Sequence, residues 1–373
     1  MRALTRRART RMLRRVSAPL SNPRAWAVTL VATATMAISY LDRQVLGVLA
    51  PSVRDALEID NQAYGWLASS FSIAYLVSTP IAGRLLDRIG VRRGLLAAVI
   101  LWSIVSASHG LATSFAMLFA MRLALGVTEA PSFPGAAASI SRALPAEQRP
   151  RGLGVLYTGT SFGAMLAPPL ATFLAAQLGG WRFGFLGVAI VGLVWVPLWL
   201  AATSPAAVRT LLDAPPDARA RVSFLEIAKH PAVLRAGVLV LSSSPTFAFF
   251  FLFSSLYLHE AHEVTQEGVG GYLWLPPLFL DVGAVTFGFL AARHARIHGA
   301  GRSPIVLAAI ALAMTAAIAL LPICPGPWEA TILFGVVLAG GGGLFAILTA
   351  DLVTGVGPQL AASAGGITAA SGR

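Results

Sequence analysis

Charge is scarce in this chain: Lys, Arg, Asp and Glu together make up 12% of its 373 residues, about half the share of a soluble globular protein. Cysteine is rarer still. Cys324 is alone, which excludes an internal disulfide and a thiol-rich metal site. The six His residues (His109, His230, His259, His262, His294, His298) fall in loops or at the ends of apolar segments. They offer no ligand set, so no metal and no organic cofactor is expected. There is also no polar stretch long enough to fold as a separate signalling domain; the longest candidate, 203–234, is too short. What remains is apolar: 56% of the residues are hydrophobic. By composition this is an integral membrane protein.

A formal charge of +12 invites a nucleic-acid reading, but its placement argues against one. Arg residues crowd the first 24 positions, then recur at Arg84–Arg93, Arg142–Arg151, Arg209–Arg235 and Arg293–Arg302. The intervening loops carry only Arg54 and Arg182. Basic residues in every second loop are the positive-inside pattern, which places the N-terminus in the cytoplasm of a multi-pass cell-membrane protein. The basic excess is therefore topology, with the lipid bilayer and no nucleic acid as partner. The Arg-rich leader superficially resembles a targeting peptide, but the apolar run after it is too long for one and carries charge, so it reads as an uncleaved first span.

Hydropathy predicts ten spans, near 25–53, 63–82, 94–112, 114–138, 152–177, 183–201, 235–257, 270–291, 304–323 and 329–351. A last apolar stretch, 360–373, is too short to cross as a helix. The expected organisation is a basic cytoplasmic segment (1–24), a six-helix bundle (25–202), a cytoplasmic linker (203–234) and a second bundle of four spans plus part of a fifth (235–373). Such a linker is what two fused six-helix repeats leave between them. A faint echo supports the repeat: Gly83, with basic residues after it, is matched by Gly288 followed by Arg293 and Arg296.

The stretch of most interest is Tyr40-Leu41-Asp42-Arg43, an acid beside a base about two-thirds of the way through the first span. A charge near mid-membrane costs about 2.5–3.5 kcal/mol on insertion scales, so it is rarely idle. The fourth span adds Arg122 and Glu129, seven residues apart and hence on one helical face. Arg122 lies roughly 12 Å from the outer end of its span, at 1.5 Å per residue, a depth similar to that of Asp42. Two acids and two bases then face one cavity. Protonating an acid frees a guanidinium, whose planar fork binds carboxylate. A proton and an organic anion would thus bind cooperatively. The bland reading, a structural network of four charges, stands beside this one. Asp281, mid-span in the eighth, reads equally as a packing residue.

Gly159 and Gly163 have the spacing of close helix packing, and Gly340–Gly343 form a run inside the tenth span. Pro131 and Pro134 interrupt the fourth span and Pro168 with Pro169 the fifth, which predicts kinks. Gly159 to Gly163 also fits G-x-S-x-G, the elbow of serine hydrolases. No His lies at matching depth and the motif falls inside a helix, so no catalytic residue is assigned and the chain is not expected to be an enzyme.

At these residues the sequence resembles the major facilitator superfamily. Gly83-Arg84-Leu85-Leu86-Asp87-Arg88-Ile89-Gly90-Val91-Arg92-Arg93 matches the signature of its loop between helices two and three, G-x-x-x-D-R-x-G-x-R-[RK], at every defined position. The resemblance implies an all-α membrane fold of two pseudo-symmetric six-helix bundles. It also implies a conformational role for Gly83, Asp87, Arg88, Gly90, Arg92 and Arg93, with Asp87 contacting the start of helix eleven. Tyr40-Leu41-Asp42-Arg43-Gln44 with Arg122 and Glu129 is further similar to the anion:cation symporters, among them hexuronate and galactonate transporters. That likeness implies proton-carrying roles for Asp42 and Glu129 and carboxylate binding by Arg43 and Arg122. Tyr40 and Tyr75 would add substrate-contacting hydroxyls, with Gln44, Thr160 and Asp281 as further candidates. The implied activity is proton-coupled symport of a small organic anion by a monomer in the inner membrane. An antiporter of the same fold is the alternative, and so is an inactive remnant, because a twelve-helix fold would leave this chain truncated in its eleventh. The stub is expected to leave lipid-facing surface of helices nine and ten uncovered.

Overall fold

The computed structural model describes residues 22–214, 231–299 and 304–356. The basic leader up to residue 21, most of the expected linker and the partial eleventh span lie outside them. Among the described residues every regular element is a helix. In chain order these are α1 (Asn22–Val48), α2 (Ala50–Leu57), α3 (Asn61–Ile89), α4 (Val91–Ser108), α5 (Phe115–Glu129), α6 (Ser132–Ala143) and α7 (Arg149–Leu178). They continue as α8 (Trp181–Ala202), α9 (Ala206–Leu212), α10 (Pro231–His262), α11 (Val269–Leu273), α12 (Pro276–His298), α13 (Ile305–Ala316) and α14 (Pro327–Val356).

Seven helical stretches among the described residues are long and apolar enough to cross a membrane: 22–48, 91–111, 146–178, 181–202, 269–298, 305–323 and 327–348. The other expected spans fall on α3, on α5 with α6, and on α10. The first span is longer than one straight helix. Only Leu49 separates α1 from α2, and the helical bonds Leu49 N–H to Val45 O (2.9 Å) and Val53 N–H to Leu49 O (3.0 Å) run across the junction. Pro51, which has no N–H to donate, opens α2. The fourth span breaks at Ala130–Pro131, directly after Glu129. By contrast α7 runs unbroken through Pro168 and Pro169.

The chain forms two compact units. Of the described residues, the first holds 22–42, 69–163 and 185–214. Its core gathers Met36, Leu95, Val99, Trp102, Ile140, Trp195 and Trp199. Trp195 and Trp199, one turn apart on α8, stack at 5.0 Å between ring centroids. Each indole finds an acceptor: Trp195 donates to Val31 O (2.8 Å) and Trp199 to Arg92 O (3.1 Å). Small residues bring α7 against α1. A Cβ on Gly159 would lie 2.5 Å from Thr33 O, and one on Gly163 would lie 2.1 Å from Ala37 O, the backbone approach expected of this spacing.

Of the described residues, the second unit holds 43–68, 164–184, 231–299 and 304–356. Here α14 is central, packing on α12, α13 and α10. Its glycine run faces a different neighbour at each position: Gly340 meets Ala311 on α13, Gly341 the Phe247 ring on α10, and Gly342 Leu280 O on α12. Of the candidate spans α14 is the most buried and α13, with the 3₁₀ turn after it, the least. The ninth span is thus the more exposed of the two, while the glycine run lets the tenth sit among its neighbours. In the same unit, Arg54 pairs with Glu260. Gln266 joins α2 by accepting from Ser52 Oγ (3.1 Å) and donating to Val48 O (2.8 Å).

Candidate functional site

Three of the four charges singled out in the sequence lie in the first unit, and all three are buried: Asp42 is 1% exposed, Arg122 1% and Glu129 0%. Asp42 comes from the last third of α1, a helix of small residues whose Thr29 hydroxyl satisfies itself on the carbonyl four residues back. Arg122 and Glu129 come from α5, and the break at Ala130–Pro131 leaves Glu129 as the last residue of that helix. Both α5 residues lie within electrostatic range of the Asp42 carboxyl. Gly126, midway between them, makes this possible. A Cβ there would sit 2.5 Å from Phe71 O and 2.9 Å from Tyr75 N, so α5 touches the α3 backbone.

Each acid has a hydroxyl partner. Ser106 Oγ donates to Asp42 Oδ1 at 2.6 Å, and Ser39 Oγ donates to Glu129 Oε1. Arg122 lies over the Phe71 ring, its guanidinium carbon 4.9 Å from the centroid, in cation–π geometry. Trp102 borders Asp42 from α4. One turn beyond Ser106, buried His109 stacks on Phe185 at 5.1 Å. Its Nδ1 meets Val105 O at 2.8 Å. A carbonyl only accepts, so Nδ1 carries the hydrogen and Nε2 is a lone-pair acceptor. Arg122 is in its electrostatic range.

The remaining candidates are distributed more widely. Tyr75 is buried, its hydroxyl 3.5 Å from Ser132 Oγ on α6, and Tyr40 packs against the first unit's core. Thr160 bonds its own helix at Tyr157 O, 2.6 Å away. Arg43 belongs to the second unit. Gln44, also there, lines a small cavity with Gly47, Ser254 and Phe250. Asp281 is half-buried on α12.

The loop signature forms a separate cluster in the first unit. Gly90 opens α4 with φ +87°, and a Cβ on it would lie 2.5 Å from Asp213 Oδ1 at the end of α9. Arg93 Nε lies 4.0 Å from Asp213 Oδ2, and Arg92 donates to Thr203 Oγ1 at 3.0 Å. From α6, Arg142 donates to Leu212 O (2.5 Å) and Ala214 O (2.9 Å), capping α9. Burial draws the Arg142 guanidinium below its ordinary value, while the Asp87 and Asp213 carboxylates act against that. Asp87 and Arg88 are exposed and Gly83 has open space around it. The helix eleven contact implied for Asp87 lies outside the described residues.

Sequence reasoning missed Ser39, Ser106, Trp102, His109 and Phe71. A signal existed: Ser39 is three residues from Asp42, and Trp102, Ser106 and His109 recur at spacings of four and three, one face of α4 and of the 3₁₀ turn that continues it.

The model of the Major Facilitator Superfamily matches residues 32–373. The chain is 27% identical over 288 residues to the hexuronate transporter of Escherichia coli K12, covering 74% of this chain and 66% of that one. It is 27% identical over 281 residues to the galacturonate transporter of Dickeya chrysanthemi, covering 71% and 81% respectively. In structure it is similar to a bacterial homolog of the human lysosomal transporter Spinster, in an inward-facing, unoccupied conformation. That likeness has a TM-score of 0.80 at 19% identity, over 94% of this chain and 80% of that one.

Proposed function

Because this chain belongs to the Major Facilitator Superfamily, we propose that it is a secondary transporter coupling the entry of a small organic anion, a sugar acid or related carboxylate, to protons across the inner membrane. The carrying observation is the burial of Asp42, Glu129 and Arg122 in one unit and within mutual electrostatic reach. Two carboxyls beside a single guanidinium hold an excess of negative charge when all are ionised. One proton relieves that excess and a second leaves the guanidinium available to a carboxylate, so protons and anion favour each other's binding. Arg122 supplies the fixed cation, and its fork geometry selects carboxylate over a simple point anion. Arg43, the neighbour of Asp42 in sequence, is assigned the second carboxylate contact. Tyr40 and Tyr75 supply hydroxyls for a polyhydroxylated substrate. The loop cluster around Gly90, Asp87, Arg92 and Arg93 is assigned to conformational exchange. The relatives that transport hexuronate and galacturonate support the substrate class, and the N-terminus is placed in the cytoplasm.

The test is uptake of radiolabelled sugar acids and other small carboxylates into proteoliposomes, with and without an inward proton gradient. Uptake that rises with the gradient and disappears in Arg122→Gln is the expected result. Full uptake by that variant would sink the proposal. Uptake driven by an outward gradient would favour antiport instead.

A further inference from the structure

The two buried acids are served by different hydroxyls from different helices. Ser39 of α1 donates to Glu129 at the end of α5, and Ser106 of α4 donates to Oδ1 of Asp42 on α1. Ser39 and Ser106 are themselves buried, 0% and 1% exposed. Neither hydroxyl takes the backbone carbonyl of its own helix, as the Thr29, Thr128 and Ser139 hydroxyls nearby do. A hydroxyl inside a helix has that carbonyl within reach at little cost. Both serines instead reach across to a carboxyl.

We propose that Ser39 and Ser106 are positioning residues for proton coupling, each dedicated to one acid and each setting the pH at which that acid takes its proton. A donated hydrogen bond favours the ionised carboxylate, so each serine makes its acid release a proton more readily. When the carboxyl is protonated the same hydroxyl rotates and accepts from it, so both states keep a partner. The charged and titratable groups around the acids differ by element. Asp42 faces Glu129 and Arg122 from α5, with Trp102 and Ser106 from α4. Glu129 faces Asp42 and Ser39 from α1 and shares its helix with Arg122, which in turn faces His109 beyond the end of α4. The two acids thus lie near the same Arg122, while each accepts from its own serine. Ser39 and Asp42 are three residues apart on one face of α1, which ties the two hydrogen bonds to a single helix. Movement of α1 relative to α4 or α5 would break one bond and spare the other.

This inference rests on the proton-coupling role proposed above for the two acids, but its test does not need transport. Infrared difference titration of the purified full chain reads the protonated-carboxyl bands directly, with Asp42→Asn and Glu129→Gln assigning them. Ser106→Ala is expected to move the Asp42 band's midpoint upward by roughly one pH unit, tenfold in proton affinity, and to move the Glu129 band much less. Ser39→Ala is expected to do the reverse. Ser→Thr, which keeps the hydroxyl, restores each midpoint. If a Ser→Ala chain does not fold, Ser→Cys, a weaker donor of similar size, is read the same way and with the same sign. Bands that titrate as in the unmodified chain, or that move equally in either variant, overturn the proposal. Parallel uptake assays separate the two failures: an unmodified chain without proton-driven uptake sinks the functional reading, whereas the spectra alone decide the roles of the serines.

Discussion

Glu129 closes α5, has the Ser39 hydroxyl on its carboxylate and shares a helix face with Arg122. An amide in its place keeps an acceptor for Ser39 but neither ionises nor takes a proton. Glu129→Gln is therefore expected to lose gradient-driven uptake while retaining exchange of labelled for unlabelled substrate across the membrane. Retained gradient-driven accumulation would show that Glu129 carries no proton. Phe71 offers a separate lever. Its ring lies under the Arg122 guanidinium, and a desolvated contact of this kind is worth about 2 kcal/mol. Phe71→Leu keeps apolar bulk and removes the π face. It is expected to weaken apparent substrate affinity severalfold, read as a raised KM, by loosening the cation rather than deleting it.

Helices in lipid gain little from apolar contact, because the lipid tails are as apolar as their side chains; close backbone approach supplies much of the packing. Two elements show where this chain depends on it. On α12, a Cβ at Gly283 would lie 2.1 Å from Ala339 O of α14. Gly283→Leu should push those helices apart and destabilise the second unit by roughly 1–3 kcal/mol or more. A lowered unfolding temperature in detergent is the readout, and an unchanged one would contradict the packing. At the start of α4, Gly90 combines a left-handed φ of +87° with Asp213 2.5 Å from its missing Cβ. Gly90→Ala meets both penalties, about 1–2 kcal/mol for the backbone alone. It also pushes α9 off the loop cluster, so it is expected to lower stability and to slow transport.

At the scale of the whole molecule, the scarcity of cysteine becomes useful. Cys324 is the only thiol in the chain, partly exposed between the 3₁₀ turn after α13 and the start of α14. The proposed cytoplasmic N-terminus and the ten spans expected from hydropathy would put this turn on the outer side. A membrane-impermeant maleimide should then label intact cells, and failure to label until the membrane is opened would reverse the orientation. Burial, with the Glu329 carboxylate adding to it, pushes the Cys324 thiol above its ordinary value. The thiolate is the reactive form. Labelling is therefore slow at neutral pH and accelerates as pH rises towards and past the ordinary thiol range, whereas a thiol with a lowered value would label fastest near neutrality and level off.

Much of this protein is legible in one dimension. Composition, apolar runs and the placement of Arg are properties summed along the chain, and the bilayer reads them locally, so the membrane class and most helix positions follow from sequence. The seven-residue spacing of Arg122 and Glu129 on one face needs only helical geometry, and the loop signature needs only its pattern. The break after Glu129 was also legible, since proline cannot donate the bond that would continue the helix. The hydroxyl partners were not. That Ser106 serves Asp42 and Ser39 serves Glu129 depends on how α1, α4 and α5 rotate against one another. That rotation is set by where glycines such as Gly126 and Gly163 let backbones touch. Nor could the chain alone show that Arg142 and Asp213 join α9 to the loop cluster, because those residues are 71 positions apart in sequence and meet only in space. Sequence determines which groups can ionise inside the membrane; tertiary packing decides which neighbour each carboxyl has, and hydrogen bonds act only at contact distance.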